Sequence, residues 1–430
     1  MSGSLREDAD RIWSAGLAAV APERLVADHA GVIDATLTRD TAARILVVGG
    51  GKAAAGIAAG IETLLGPDAL DRQRVSGLVS VPEGCGRRLS RIEIRETRPA
   101  RLNLPTPEVV KATAEMLTAV GGLGPDDLVI VPLTGGGSAL LAAPKEGVTL
   151  DEKIAVTRSL SESGADIARL NAARQALSRI KGGGLARACT AGRMLVLVLS
   201  DVIGDDLDVI ASGPCMPGLD PGSGTRSRGS GAWTTPRGCT VEHILLGGNG
   251  TAVAAAADAA RRAGYDVVSA LTRVGGETAE EVGRRLAAEA AGAVAATAVD
   301  GRPRAIIEGG EAVVRVPADH GLGGRNQQTV VAAVAAVCRG DGSWPEGLLI
   351  ASIGSDGEDG PTDAAGGIAD ASLAAEIERG SLDLPRALAR CDAYPLLDSA
   401  GGLVRTGPTG TNVADLRIVL TQPARAATAR

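Results

Sequence analysis

Phenylalanine is absent from this chain, and the only other aromatic residues are Trp13, Trp233, Trp344, Tyr265 and Tyr394. Stacking on unpaired bases needs aromatic platforms, so this scarcity argues against nucleic-acid recognition of that kind. A net charge of −7 and the lack of any long basic run argue against a nucleic-acid partner in general. Histidine is almost as scarce, with only His29, His243 and His320. Together with the lack of G-x-S-x-G at a strand end, that disfavours a Ser-His-Asp hydrolase. No apolar run reaches the ~18 residues of a membrane span. The start, MSGSLREDADRIW, is charged and carries no apolar leader core. The cysteines, at 85, 189, 215, 239, 338 and 391, never form C-x-x-C. They read as reduced thiols of a cytoplasmic protein, not as a zinc ribbon.

What is present is small and aliphatic. Val, Leu, Ile and Ala build runs such as ILVVGG, VSGLVSVP, DLVIVPLTGGG (Asp127 to Leu133, then glycines) and RMLVLVLSD (Arg193 to Asp201). Helical stretches separate them, from Lys52 to Leu65, around Val109 to Val120, and from Asp151 to Leu177. An opening helical segment spans Glu7 to Ile33, with Trp13, Leu17 and Leu25 as core positions. Apolar runs without alternation predict strands covered on both faces, hence a parallel sheet between two helical layers. The stretch from Met216 to Cys239, rich in Gly, Ser, Pro and Arg, reads as a flexible connection. Beyond it the alternation resumes with HILLGGNGTAVAAAADAARRAGYDVVSAL.

Glycine clusters recur at the predicted strand ends: VVGGGK, PLTGGGSA, LLGGNGT and IIEGGEA. Ligands of open parallel α/β sheets bind at that end of the strands. Gly50 and Gly51 lead into Lys52 at the mouth of a helix, where an anion is favoured. Gly135, Gly136 and Gly137 with Ser138 have the layout of an anion nest, and Asn249 stands in a third cluster. Neither the P-loop pattern nor G-x-G-x-x-G occurs. Each cluster alone is equally readable as a tight turn. Two acidic segments follow strands, and Asp201 and Asp356 are their best Mg²⁺ candidates. Arg325, in GLGGRNQQ, follows a glycine turn at a helix start and suits a bidentate clamp on an oxyanion. Asn171, Arg174 and Lys181 form a polar set in RLNAARQALSRIKGGGLA. Phosphate cradles, two cations and strand-end acids together point to phosphoryl transfer.

The sequence resembles the class II glycerate kinases, the glycerate 2-kinases of the MOFRL family. The stretches that carry the resemblance are VVGGGKAA, LTGGGSALL, SGADIARLNAARQALSRIKGGGLA, LSDVIGDDLDVIASGP, GGNGTAVAAAADAARRAGY, EGGEAVV, GLGGRNQQ, GSDGEDGPTDAAGG and RTGPTGTNVADL. They run in the family's order over nearly the whole chain. The resemblance implies two dissimilar three-layer α/β/α domains, the first with a Rossmann-like, largely parallel sheet. Their expected extents are residues 1–240, including a flexible 216–240, and residues 241–430. It implies ATP and Mg²⁺ as cofactors, an active site between the domains, and transfer of the γ-phosphoryl group to the 2-hydroxyl of D-glycerate or a closely related small hydroxy acid. Lys52 and Arg325 are then the catalytic cations. Gly50, Gly51, Gly135 to Ser138 and Asn249 are the phosphate and nucleotide contacts. Asn171, Arg174, Lys181 and Glu311 are expected at the substrate, and Asp201 and Asp356 at the metal. No membrane or nucleic acid is expected as partner, and a homodimer is compatible with the pattern.

Four departures from the family pattern stand out. ETRPARLNLPTPEVV replaces an H-P-x-P motif and carries no histidine, a family histidine between Arg174 and KGG is absent with Ala176 nearby instead, Gly184 stands where the family has arginine, and the segment after Pro214 is short. A hydroxypyruvate reductase and a non-catalytic metabolite-binding homologue are the competing readings. The first needs a dinucleotide fingerprint that is missing, and the second has no need of Lys52 or Arg325.

Overall fold

A computed structural model describes residues 4–38, 42–72, 74–100, 102–162, 167–217, 232–339, 342–380 and 382–424. The chain divides into two compact units. The N-terminal unit takes Ala21–Gly248 and Gly410–Asn412. The C-terminal unit takes the chain up to Val20, Asn249–Thr409 and the chain from Val413.

The N-terminal unit is built on β1 (Ile45–Gly50), β2 (Ser76–Pro82), β3 (Ile92–Arg98), β4 (Leu128–Thr134), β5 (Arg193–Leu199), β6 (Trp233–Thr234) and β7 (Thr240–Gly247). They form one sheet in the order β3-β2-β1-β4-β5-β7-β6. Every pair is parallel except β6 with β7. Strands β4 and β5 are apolar and almost wholly buried, as a doubly covered parallel sheet requires. The helix expected to end at Leu65 does break there. Gly66 takes φ 69° and Pro67 follows, although the backbone re-enters helix and continues to Arg72. Of the stretch expected to be a flexible connection, residues 218–231 lie outside the described residues. Trp233–Thr234 is a strand, and its indole donates to the Cys215 carbonyl at 3.1 Å.

The C-terminal unit carries β8 (Asp266–Thr272), β9 (Arg304–Gly310), β10 (Leu348–Gly354), β11 (Gly366–Ala369), β12 (Leu403–Val404) and β13 (Asp415–Thr421). Their order is β12-β11-β10-β13-β9-β8. Only β8 and β9 run parallel, so this sheet is mixed and mainly antiparallel. The opening helix, Leu5–Ala19, belongs to this unit and not with the N-terminal residues expected to surround it. Ile12 and Trp13 join the core formed by Val253, Ile307 and Ile418. Tyr265 donates to Asp8 Oδ2 at 2.7 Å, which ties the helix down through a buried polar contact. The segment after Ala19 is two further helices, Pro22–Asp28 and Ala30–Thr38. Among the described residues no helix is long and apolar enough to cross a membrane.

Candidate active site

The four glycine clusters do different work. In GGGK, a Cβ on Gly51 would overlap the Thr134 hydroxyl and lie 2.7 Å from the Thr134 carbonyl oxygen. Gly51 also takes φ 143°, a left-handed value. Its N–H donates to the Ser80 carbonyl, the Lys52 N–H to the Gly135 carbonyl at 2.9 Å, and the Ala53 N–H to Thr134 Oγ1 at 3.1 Å. The glycines at 50 and 51 therefore let β1 lie close to its neighbours. The N–H groups of Gly51, Lys52 and Ala53 already have acceptors, in the Ser80 and Gly135 carbonyls and the Thr134 hydroxyl.

The TGGGS loop is the opposite case. Gly136 takes φ 77° and starts the short helix Gly137–Leu140. The N–H groups of Gly136, Gly137 and Ser138 have no acceptor among the described residues. Gly136 and Ser138 line a cavity of about 220 Å³. Lys52 reaches over this loop, with its Cγ 3.6 Å from the place a Gly136 Cβ would occupy. A Cβ on Gly135 would sit 2.5 Å from Asp201 Oδ2, so glycine here admits the carboxylate to the loop. Asp201 lines the same cavity and lies 3.4 Å from Asn412 Nδ2.

Lys153, Arg174 and Lys181 line the cavity as well. Lys181 is 3% exposed, and its ammonium donates to Ser138 O at 2.8 Å, Ser138 Oγ at 2.9 Å and Ala211 O at 3.3 Å. Those bonds use all three donors of an ammonium group. Burial, then Lys153 and Arg174, hold its pKa well below the ordinary lysine value. Asn171 accepts from Ser212 Oγ at 3.0 Å, and Ser212 Oγ lies 3.1 Å from Ser138 Oγ. Asn171 thus supports the loop through Ser212. Lys153 was not anticipated from the sequence. It sits on the helix Leu150–Glu162, is 4% exposed, and donates to the Arg174 carbonyl at 3.3 Å. Among the described residues no carboxylate pairs with Lys153, Arg174 or Lys181; burial lowers the pKa of all three, and neighbouring cations add to it for Lys153 and Lys181.

The departures in sequence meet this cavity in part. Asn103, Leu104 and Pro105, in the stretch without the histidine motif, line it. Gly184 is a local requirement, since a Cβ there would overlap the Arg179 carbonyl.

The remaining expected residues belong to the C-terminal unit. Arg325 opens the helix Arg325–Val337 and is held by Asp415 (Nε to Oδ2, 2.8 Å) and Glu311 (2.7 Å). Asp359 caps that helix, accepting the N–H groups of Asn326 and Gln327 at 3.0 and 2.8 Å. Asn249 is engaged internally. Its amide donates to Val413 O and Asp415 O, and its oxygen accepts from Thr272 at 2.9 Å. These bonds tie the start of its helix to Thr272 and to the chain leading into β13. Asp356 accepts from the Glu358 N–H at 3.1 Å. Among the described residues there is no group of three or more His, Cys, Asp or Glu able to hold a metal.

A loop with unpaired N–H groups, a lysine over it, buried cations without counter-ions and a strand-end carboxylate form the equipment of a phosphotransferase. Comparison with known proteins agrees. A family model described as a domain of unknown function, DUF4147, matches residues 8–226, and the MOFRL family model matches residues 304–415. The chain is 35% identical to D-glycerate 2-kinase of Thermotoga maritima, covering 97% of this chain and 98% of that one. A protein of Agrobacterium vitis with the provisional name hydroxypyruvate reductase is also 35% identical, over 97% of this chain and 94% of its own. Human glycerate kinase is 34% identical over 88% of this chain and 84% of its own. The crystal structure of glycerate kinase from Thermotoga maritima superposes with a TM-score of 0.79, covering 97% of this chain and 99% of that one. The chain belongs to the family these proteins represent, with a DUF4147 module followed by a MOFRL module.

Proposed function

We propose that this protein is an ATP-dependent kinase that transfers the γ-phosphoryl group to the 2-hydroxyl of D-glycerate. The observation that carries the reading is the cavity beside TGGGS, where buried cations without carboxylate partners await an anionic ligand. The relatives named as glycerate kinases support the acceptor. The cavity, at about 220 Å³, is of a size for a three-carbon acid and below the usual range for drug-sized ligands. The reductase reading gains nothing from the site, because no G-x-G-x-x-G loop leads into a helix.

Lys52 is assigned to the transferring phosphoryl group and the Gly136, Gly137 and Ser138 N–H groups to phosphate oxygens. Mg²⁺ fits as an ion held mainly by the nucleotide, since it accepts one or two protein carboxylates together with phosphates and waters. Asp201 is the carboxylate that faces the cavity. When bound, the ion neutralises charge on the phosphate oxygens. Replacing Lys52 with Met should lower turnover by roughly 100-fold or more, the scale of a lost charge-stabilising donor. Its thermal unfolding should stay close to that of the unmodified protein. Near-normal turnover in this variant would sink the assignment.

A further inference from the structure

We propose that Lys153 and Arg174 together form the clamp for the acceptor's carboxylate, and that Lys181 is a positioning residue that does not touch the acceptor. The inference rests on the kinase reading above and adds a residue to it. All three cations line one cavity, but their donors are differently occupied. Lys181 has its three N–H groups on Ser138 and Ala211. It fixes the loop and has none left for a ligand. Lys153 has one donor on the Arg174 carbonyl, so two remain. The Arg174 guanidinium stands at the same wall, and a planar fork suits a carboxylate.

The energetics say why such a pair persists. A buried ammonium without a counter-ion is strongly unfavourable. Here Lys153 is buried next to a second cation, and no ion pair joins it to Asp201, which lines the same cavity. The arrangement becomes favourable once a small anion enters, because two charge-assisted bonds then form at side chains that have lost much of their contact with water. A nucleotide phosphate offers the same chemistry as a carboxylate, so the test must separate the two sources.

The test compares D-glycerate with D-glyceramide, which has the same shape and no charge, in the unmodified protein and in Lys153→Met and Lys153→Arg. Losing a charge-assisted bond should lower kcat/KM for D-glycerate by roughly 10- to 100-fold in Lys153→Met. The value for D-glyceramide and the KM for ATP should hold, and Lys153→Arg should recover most of the loss. Equal losses on both acceptors would assign Lys153 a structural role and overturn the clamp. A rise confined to the KM for ATP would assign the site to the nucleotide and overturn it too. If the unmodified protein forms no phosphorylated product, the kinase reading fails separately. Calorimetric affinities for the two compounds without ATP then decide the clamp, which is lost if Lys153→Met binds D-glycerate as the unmodified protein does or if neither binds it.

Discussion

The backbone N–H of Lys52 donates to the carbonyl of Gly135 at 2.9 Å. This bond joins the end of β1 to the end of β4 and locks the lysine's loop onto the TGGGS loop. The geometry between Lys52 and the open N–H groups of Gly136 to Ser138 is thereby set by the sheet and not by a mobile connection.

The contact predicts a sharp response at Gly51. In Gly51→Ala the new methyl meets Thr134 while the backbone keeps a left-handed φ. Unfolding by urea should show a loss of about 3 kcal/mol or more, at the upper end of single-site effects. A loss below ~1 kcal/mol would mean that the two strand ends separate easily.

Lys181 should separate stability from activity. It is a buried ammonium without a carboxylate partner, so removing it relieves an unfavourable charge but leaves the Ser138 and Ala211 oxygens without their donor. The two effects oppose each other, and Lys181→Met should melt close to the temperature of the unmodified protein. Its turnover should fall roughly 100-fold, because the TGGGS loop loses the bonds that hold Ser138 and small misplacements are costly. Calorimetry and a rate assay on one preparation check both halves.

Lys153 makes the reaction and the stability depend on pH. Burial, followed by Arg174, brings its ammonium down to about 8. The charged groups around the same cavity are Arg174, Lys181 and Asp201. Above about pH 8 the ammonium loses its proton, so the KM for the acceptor should rise while kcat is maintained. In the unliganded protein the unfolded chain binds the extra proton between about 8 and the ordinary lysine value of 10.5. Stability should therefore increase with pH over that window. In Lys153→Met the KM trend should vanish, while the rise in stability should shrink and not disappear, because Lys181, also held well below its ordinary value, acts in the same direction; KM–pH profiles and melts at pH 8 and 10 check both.

At the C-terminal unit, Arg325 and Glu311 should behave unequally although they form one ion pair. Asp415 is fully buried under Arg325, whereas Glu311 is half exposed. Arg325→Met leaves the buried Asp415 carboxylate with only Asn326 at 2.9 Å and the more distant Arg417 at 3.8 Å, and should lose about 3 kcal/mol of unfolding free energy. Glu311→Gln should lose less than ~1 kcal/mol. Similar losses from both would contradict the burial difference.

Much of the N-terminal sheet is legible in the sequence because β1, β2, β4 and β5 are mainly aliphatic runs, with glycine directly after β1 and β4 and an acidic residue close behind β2 and β5. The edge strand β3 is not, since IEIRETR alternates with charged residues that an edge leaves exposed. The direction of the second sheet is also hidden, because buried apolar runs look alike in parallel and antiparallel partners. Within the site, glycine spacing alone cannot distinguish GGGK, closed by neighbouring strands, from TGGGS, whose N–H groups stay open. GGNG has the same appearance, yet Asn249 is absorbed by three internal bonds. Lys153 is concealed among charged neighbours in LDEKIAVT, and only the fold turns it toward Arg174 and Lys181.

The central claim is the transfer of phosphate to the 2-hydroxyl of D-glycerate. ³¹P NMR of the purified protein with ATP, Mg²⁺ and D-glycerate tests it directly. The expected result is conversion of ATP to ADP with the appearance of 2-phosphoglycerate, dependent on Lys52. Intact ATP, or phosphate appearing only on the 3-hydroxyl, would contradict it.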